Sequence, residues 1–347
     1  MSVAVRSAPR TEAELDDRLS EPRESTIDAL RRVPGDIVIL GAGGKMGPTL
    51  ARMAARAARQ ADGGKPRRII AVSRFGSGDA AKKLEHHGIE TVPADLTDLA
   101  SVERLPDAPN VVFMAGQKFG TTDAPSRTWM MNVVVPAYCA RRYAGSSVVA
   151  FSTGNVYPLV SVASGGATEH TDPNPVGEYA ASCLGRERVF EFYSSRGTRV
   201  AIMRLNYAID LRYGVLTDLA QRLVGGVPIP LAMGHVNVIW QGDANKAALE
   251  LLPLASSPPL VVNVTGTHAL SVRSLAEELG KRIGVEPRFD GVEARDALLS
   301  DTSRFRQTLG EPEMPIETLL DWVADWTKAG RPLLGRPTHF ETRDGAF

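Results

Sequence analysis

The stretch DIVILGAGGKMGPTLARMAARAARQ, residues 36–60, runs from a short apolar segment through a glycine turn into a helix rich in alanine and arginine. Gly41, Gly44 and Gly47 fall in the pattern G-x-x-G-x-x-G between that strand and that helix. The first glycine permits the tight turn, the second lets the backbone approach a pyrophosphate, and the third allows close packing of helix on strand. The exposed N–H groups of the turn and the positive end of the helix would hold the phosphates. A dinucleotide site is therefore expected, with a purely structural turn as the alternative.

Outward from this unit the pattern repeats. RRIIAVSRF (67–75), GIETVPADL (88–96), NVVFMAG (110–116), SSVVAFSTGNVY (146–157) and TRVAIMRLNYA (198–208) read as further strands. Helical stretches lie between them at 48–61, 78–87, 126–144 and 178–196. Unbroken apolar strands alternating with helices predict a parallel sheet covered on both faces, the doubly wound α/β class of Rossmann type. The alternation fails after about residue 208. The chain thus divides into an N-terminal arm (1–33), a dinucleotide-binding domain (34–208) and a smaller C-terminal substrate-binding region (209–347), with one further strand in PLVVNVTG.

The cofactor's identity is read at two strand ends. Ser73 and Arg74 end the second strand, where an acidic residue would favour NAD. An arginine can pair with a 2′-phosphate, so the reading leans to NADP over NAD, with a solvated surface arginine as the alternative. Asp95 and Leu96 end the third strand, placed to accept the adenine amino group and to cover the ring; Asp95 reads equally as a turn or cap residue.

Composition narrows the class. Of 347 residues, 43% are hydrophobic and 23% charged, enough for a sizeable core. Forty basic and forty acidic side chains cancel, and no basic stripe occurs, which argues against nucleic acid and acidic membrane surfaces. No apolar run is long enough to span a bilayer, and the N-terminus has no apolar core of a signal peptide. Two distant cysteines and six scattered histidines give neither a disulfide framework nor a metal pattern, so a cytoplasmic protein without metal is expected.

GAGGKMG, ADL, FMAG, Asn132, FSTGNVY, EYAAS and RLN follow one another in order. The set resembles the extended short-chain dehydrogenase/reductases, the NAD-dependent epimerase/dehydratase family, over roughly residues 35–328. The resemblance implies hydride transfer at a secondary alcohol or ketone of a sugar or sugar acid. It implies dimers paired through the helices at 126–144 and 178–196. It gives Thr153 the substrate oxygen, with Ser152 as fallback, and gives Tyr179 the proton transfer. It brings Lys45, Met46, Met114, Ala115, Gly116 and Cys183 to the cofactor, and Ser152, Asn155, Tyr157 and Asn206 to the substrate.

One departure matters. A tyrosine with a pKa near 10 is a poor base, and the family lowers it with a lysine four residues on, one helical turn away. Here that residue is Cys183. Three explanations stay open: another cation substitutes, with Lys118 first and Arg186 second; the tyrosine serves as an acid in a reductase; or turnover is lost and a dinucleotide-binding or regulatory protein remains. Asn132 precedes Pro136 by four, which frees a helical carbonyl for a proton-relay water or simply kinks the helix. Asp243 reads as a helix cap, Trp240 and Tyr207 as pocket or core residues, and Glu169 and His170 as residues of a solvated loop that could reach a substrate.

Overall fold

A computed structural model describes residues 7–63, 67–76 and 78–345. The first six residues of the expected arm and the last two of the C-terminal region lie outside it. Seven strands build the main sheet: β1 (Ile37–Leu40), β2 (Ile69–Ser73), β3 (Glu90–Pro93), β4 (Asn110–Phe113), β5 (Ser147–Thr153), β6 (Arg199–Leu205) and β7 (Leu260–Val264). Their spatial order is β7-β6-β5-β4-β1-β2-β3, and every pairing is parallel. The order reverses between β1 and β4, which opens a crevice above their carboxyl ends. All four residues of β1 and of β4 are buried, as a strand covered on both faces demands.

The helices are α1 (Glu12–Leu19), α2 (Glu24–Arg31), α3 (Gly47–Ala61), α4 (Gly78–Glu85), α5 (Leu99–Glu103), α6 (Pro125–Trp129), α7 (Val135–Arg142), α8 (Gly177–Ser194), α9 (Val215–Val224), α10 (Gln241–Glu250), α11 (Val272–Ile283), α12 (Ser303–Leu309) and α13 (Ile316–Lys328). Leu50, Met53 and Ala54 of α3 pack with Ile27 and Leu30 of α2 and Leu249 of α10 on one sheet face. Val135 and Cys139 of α7 and Phe190 of α8 cover the other. A third core, around Trp240, Trp322 and Leu279, joins α9, α11 and α13 in the C-terminal region. Trp240 belongs to that core, edge-on to Trp322 at 5.8 Å, and does not shape the cavity.

The expected arm is a correction. Its described residues fold into α1 and α2, with Leu15, Leu19 and Leu30 fully buried. Leu15 and Leu19 enter the C-terminal core while Ile27 and Leu30 enter the sheet core, so these helices bridge the two. Few apolar residues, spread among many charges, hid the first of them; TIDALRR, which overlaps the second, reads as a short helix within the arm. Leu19→Ala is expected to cost about 2–5 kcal/mol, read as a lower denaturant midpoint; an unchanged midpoint would return this segment to the status of an arm.

Pro136 also has a structural answer. Between α6 and α7 the helix widens into a π turn over Met130–Val134, where the Val135 N–H reaches back to the Met130 carbonyl. Trp129 and Phe192, on the helices expected to pair, are exposed.

Candidate active site

The three glycines do three different jobs. Gly41 has φ +92°, and a Cβ there would lie 2.6 Å from the Ala115 backbone. A Cβ at Gly47 would land inside the Ala42 carbonyl, so only glycine lets α3 meet β1 this closely. Gly44 is open: a Cβ would meet only the Gly41 oxygen, at 3.4 Å. The open glycine faces the crevice, at the start of a 15-residue helix with no side-chain cap on its first N–H groups. That is a cradle fitted to a pyrophosphate.

Beside it lies a cavity of about 320 Å³. Gly41, Gly44, Lys45 and Met46 form its floor, Met114, Gly116 and Lys118 one side, and Ser152, Thr153, Asn155, Tyr179, Arg186 and Asn206 the other. Ala115 packs under the turn, against Gly41. Ser73 lies close against Gly43, while Arg74 and Asp95 are exposed at the ends of β2 and β3. Asp95 Oδ1 accepts from the Thr97 N–H at 3.0 Å and from its hydroxyl at 2.8 Å. These bonds, aided by nearby Arg74, hold its carboxyl below the usual range. Leu96 is buried in the sheet core.

Thr153 and Tyr179 are brought together. The Thr153 hydroxyl oxygen accepts from the Asn155 N–H at 3.2 Å and from Asn155 Nδ2 at 3.0 Å. Both its lone pairs are then used, so toward Tyr179 it can only donate. Burial pushes the Tyr179 hydroxyl well above its ordinary range, and Cys183 adds to this; Arg186 and the Thr153 bond pull the other way. The Cys183 thiol, fully buried between them, is itself pushed up by burial.

The cation bearing on Tyr179 is thus Arg186, seven residues along the same helix. Its Nη1 donates to the Phe151 carbonyl at 2.9 Å and its Nη2 to Asn132 Oδ1 at 2.8 Å. Its Nε is buried without a partner. Gly116 makes the room, since any Cβ there would collide with the guanidinium. Asn132 is fully occupied: Oδ1 also accepts from the Gln117 N–H, and Nδ2 donates to the Gln117 carbonyl and the Ser182 hydroxyl. Lys118, the first-choice cation, instead points its Nζ at the Thr338 carbonyl, 3.3 Å away.

Two expected substrate contacts hold other partners, and one of them lies off the cavity wall. Tyr157 is absent from the cavity wall; its hydroxyl donates to Asn263 Oδ1 at 2.8 Å and accepts from Arg204 Nη1 at 2.6 Å. Ser152 reaches the wall but donates its hydroxyl to Glu187. Glu187 and Arg204 form a buried bidentate pair, Nη2 to Oε2 at 2.7 Å and Nε to Oε1 at 3.0 Å. This network ties α8 to β5 and β6 two turns beyond Tyr179, and so fixes where Tyr179 stands. Asn206 lines the cavity with its amide donated to the Leu298 carbonyl. Tyr207 also lines it, its hydroxyl donated to the Phe340 carbonyl. Glu169 is buried and accepts from the Asn263 N–H, His170 meets Arg304, and Asp243 accepts from the Glu313 and Met314 N–H groups rather than capping α10.

Sequence reasoning missed the roof. Leu334, Arg336 and Thr338 of the tail line this part of the cavity, Leu334 and Arg336 themselves exposed, and Tyr213 lines it too. Thr338 is pinned where Asp218 Oδ2 accepts both its N–H and its hydroxyl. No periodicity marks this tail, and its anchors are scattered side chains, so no sequence signal existed.

No family model matches the sequence, and no curated protein matches it. Solved structures resemble the fold closely. The UDP-Glc/GlcNAc 4-epimerase of Campylobacter jejuni superposes with a TM-score of 0.69 at 21% identity, over 85% of this chain and 100% of that one. The UDP-glucose 4-epimerase of Thermus thermophilus in complex with NAD gives 0.67 at 19%, over 84% and 99%. A UDP-glucuronic acid 4-epimerase from Bacillus cereus, in complex with UDP-4-deoxy-4-fluoro-glucuronic acid and NAD, gives 0.71 at 16%, over 85% and 99%. At these identities the likeness shows the fold. Among the described residues, no helix is long and apolar enough to cross a membrane and no cluster of side chains suits a metal ion.

Proposed function

We propose that this chain is a nicotinamide-dependent oxidoreductase or epimerase that moves a hydride at a secondary alcohol or ketone of a sugar-like substrate. One observation carries the reading: the paired Thr153 and Tyr179 hydroxyls stand on the wall of the cavity whose floor is the open glycine turn. The N–H groups from Lys45 to Gly47 and the start of α3 would hold the pyrophosphate, with Ser73 and Arg74 at the adenosine ribose. The dinucleotide supplies a hydride acceptor or donor. When substrate enters, the Thr153 hydroxyl turns its one proton from Tyr179 to the substrate oxygen, and Tyr179 takes or returns the proton of that oxygen. Arg186 favours the anionic tyrosine against the cost of burial.

Arg74 favours NADP, while two of the similar solved structures named above hold NAD. Titrating the chain with NADH and NADPH, then following their oxidation with keto-sugars, tests both cofactor and turnover. Cys183 and the upward pull of burial on Tyr179 favour a second reading, a dinucleotide-binding protein without turnover. Tight binding with no oxidation of either cofactor would establish that one.

Gly44→Ala separates the cradle from the fold. The methyl group has room in the chain itself, so thermal stability is expected to hold, yet it sits where the pyrophosphate must approach. Dinucleotide affinity is expected to fall at least tenfold, ~1.4 kcal/mol or more. Unchanged affinity would remove the cofactor from this turn.

A further inference from the structure

The roof corner of the cavity gathers charge of one sign. Lys45 rises from the glycine turn, Lys118 from the loop after β4, and Arg336 descends from the C-terminal tail. They surround two aromatic rings, Phe119 and Tyr213, which meet edge to face at 6.5 Å. Lys45 Nζ lies 4.0 Å over the Tyr213 ring; Lys118 Nζ lies 5.6 Å and the Arg336 guanidinium 5.7 Å from the Phe119 ring. Lys45 Nζ donates to the Ala208 carbonyl at 3.1 Å, and Lys118 Nζ to the Thr338 carbonyl. Among the described residues lining this cavity there is no carboxylate. Asp218 stands behind the wall, bonded to Thr338, and Asp210 behind it, paired with Arg212.

Three cations gathered at one corner whose described lining holds no carboxylate repel one another, and Lys118 bears on Lys45 in that sense. The repulsion falls when an anion enters, because charge-assisted bonds form with it. We infer that this corner holds one anionic group of the substrate, a phosphate monoester or a carboxylate, between Lys45, Lys118 and Arg336. The inference rests on the function proposed above for the same cavity, and it names the substrate class: a small polyol carrying one acidic group. The modest volume, about 320 Å³, favours such a molecule over a nucleotide-sugar.

Charge state gives the site a pH signature. Burial pushes Lys45 and Lys118 each down to about 8. Asp210, Lys118, Arg212 and Asp218 also bear on Lys45, and Asp218 and Cys183 on Lys118. Both lysines are charged below that pH and lose their protons as pH rises through it. Anion affinity is therefore present at neutral pH and declines above about 8, with the midpoint moved upward in the complex.

The test uses glucose, glucose 6-phosphate, glucuronate and UDP-glucose on the cofactor-saturated protein, and inorganic phosphate on the protein alone. At pH 7, glucose 6-phosphate or glucuronate is expected to bind at least tenfold more tightly than glucose, and to lose that margin by pH 10. Lys118→Met and Arg336→Met are each expected to shrink the margin severalfold with dinucleotide affinity held within threefold. Inorganic phosphate is expected to raise the melting temperature of the unmodified chain more than that of either variant. The phosphate arm needs no cofactor, so it reports on the corner even if no dinucleotide binds and the proposed function falls. Equal affinity for glucose and the charged sugars overturns the inference, as does tighter binding of UDP-glucose than of either. So does a loss of dinucleotide affinity in the variants that matches their loss of sugar affinity, which would give these cations to the cofactor phosphates. No phosphate effect on the unmodified chain overturns it as well.

Discussion

Tyr179→Phe is expected to lower kcat by about 10³-fold, the scale of a lost general acid or base. The change removes one oxygen and leaves the ring packed in α8. Its partners, Thr153 and Cys183, stay in place, and the Glu187–Arg204 network that fixes the helix is untouched. Dinucleotide affinity and thermal stability are therefore expected to stay near their original values. The result to look for is a collapse of turnover with binding intact. If turnover survives within tenfold, the proton moves by another route, and the pairing of Thr153 with Tyr179 is structural.

Arg186→Met is the second large effect. Arg186 is the cation bearing on Tyr179, and an opposite charge near a titrating group shifts its pKa by roughly 1–3 units. Removing the guanidinium leaves the Thr153 bond to oppose burial without it, so the tyrosine anion becomes harder to form. In the oxidation direction, kcat at neutral pH is expected to drop by about 10²-fold, and the rise of rate with pH to move upward by one unit or more. The variant also strips one donor from Asn132 Oδ1 and one from the Phe151 carbonyl, which lowers stability. Arg186→Lys guards against misreading that loss: it keeps a charge, and its pH profile should lie between those of the original and the methionine variant. Adding Cys183→Lys to Arg186→Met restores a cation one turn from Tyr179 and is expected to recover part of the rate. A pH profile identical in the original and in Arg186→Met would leave Arg186 as a support for Asn132 alone.

Much of the fold was legible because the strands are unbroken apolar runs. Each of the seven main-sheet strands falls within a segment read as a strand, since IVIL, IIAVS and NVVF have no use outside a doubly covered sheet. The glycine turn was legible because each glycine answers a separate steric demand. What the sequence concealed depends on partners far apart along the chain. Ser152 and Tyr157 sit at a strand end and look like substrate contacts, yet Glu187, Arg204 and Asn263 claim their hydroxyls. Lys118 and Arg186 could not be ranked from spacing alone. Their order follows from which way each side chain turns, and a bare Gly116 decides that for Arg186. The first helix and the tail carry too few apolar residues for a period to stand out.

The tail has a consequence for how the site comes into being. Leu334, Arg336 and Thr338 are synthesised after every strand and helix of the fold, and they are held by Arg212, Asp218 and Lys118 through a handful of polar bonds. A nascent chain can thus lay down its glycine turn and the Thr153 and Tyr179 hydroxyls before this edge of the chamber exists. A protease cutting ahead of Leu334 would take away that edge together with Phe340, whose ring is buried in the C-terminal core, so it would unsettle the fold as well as open the chamber.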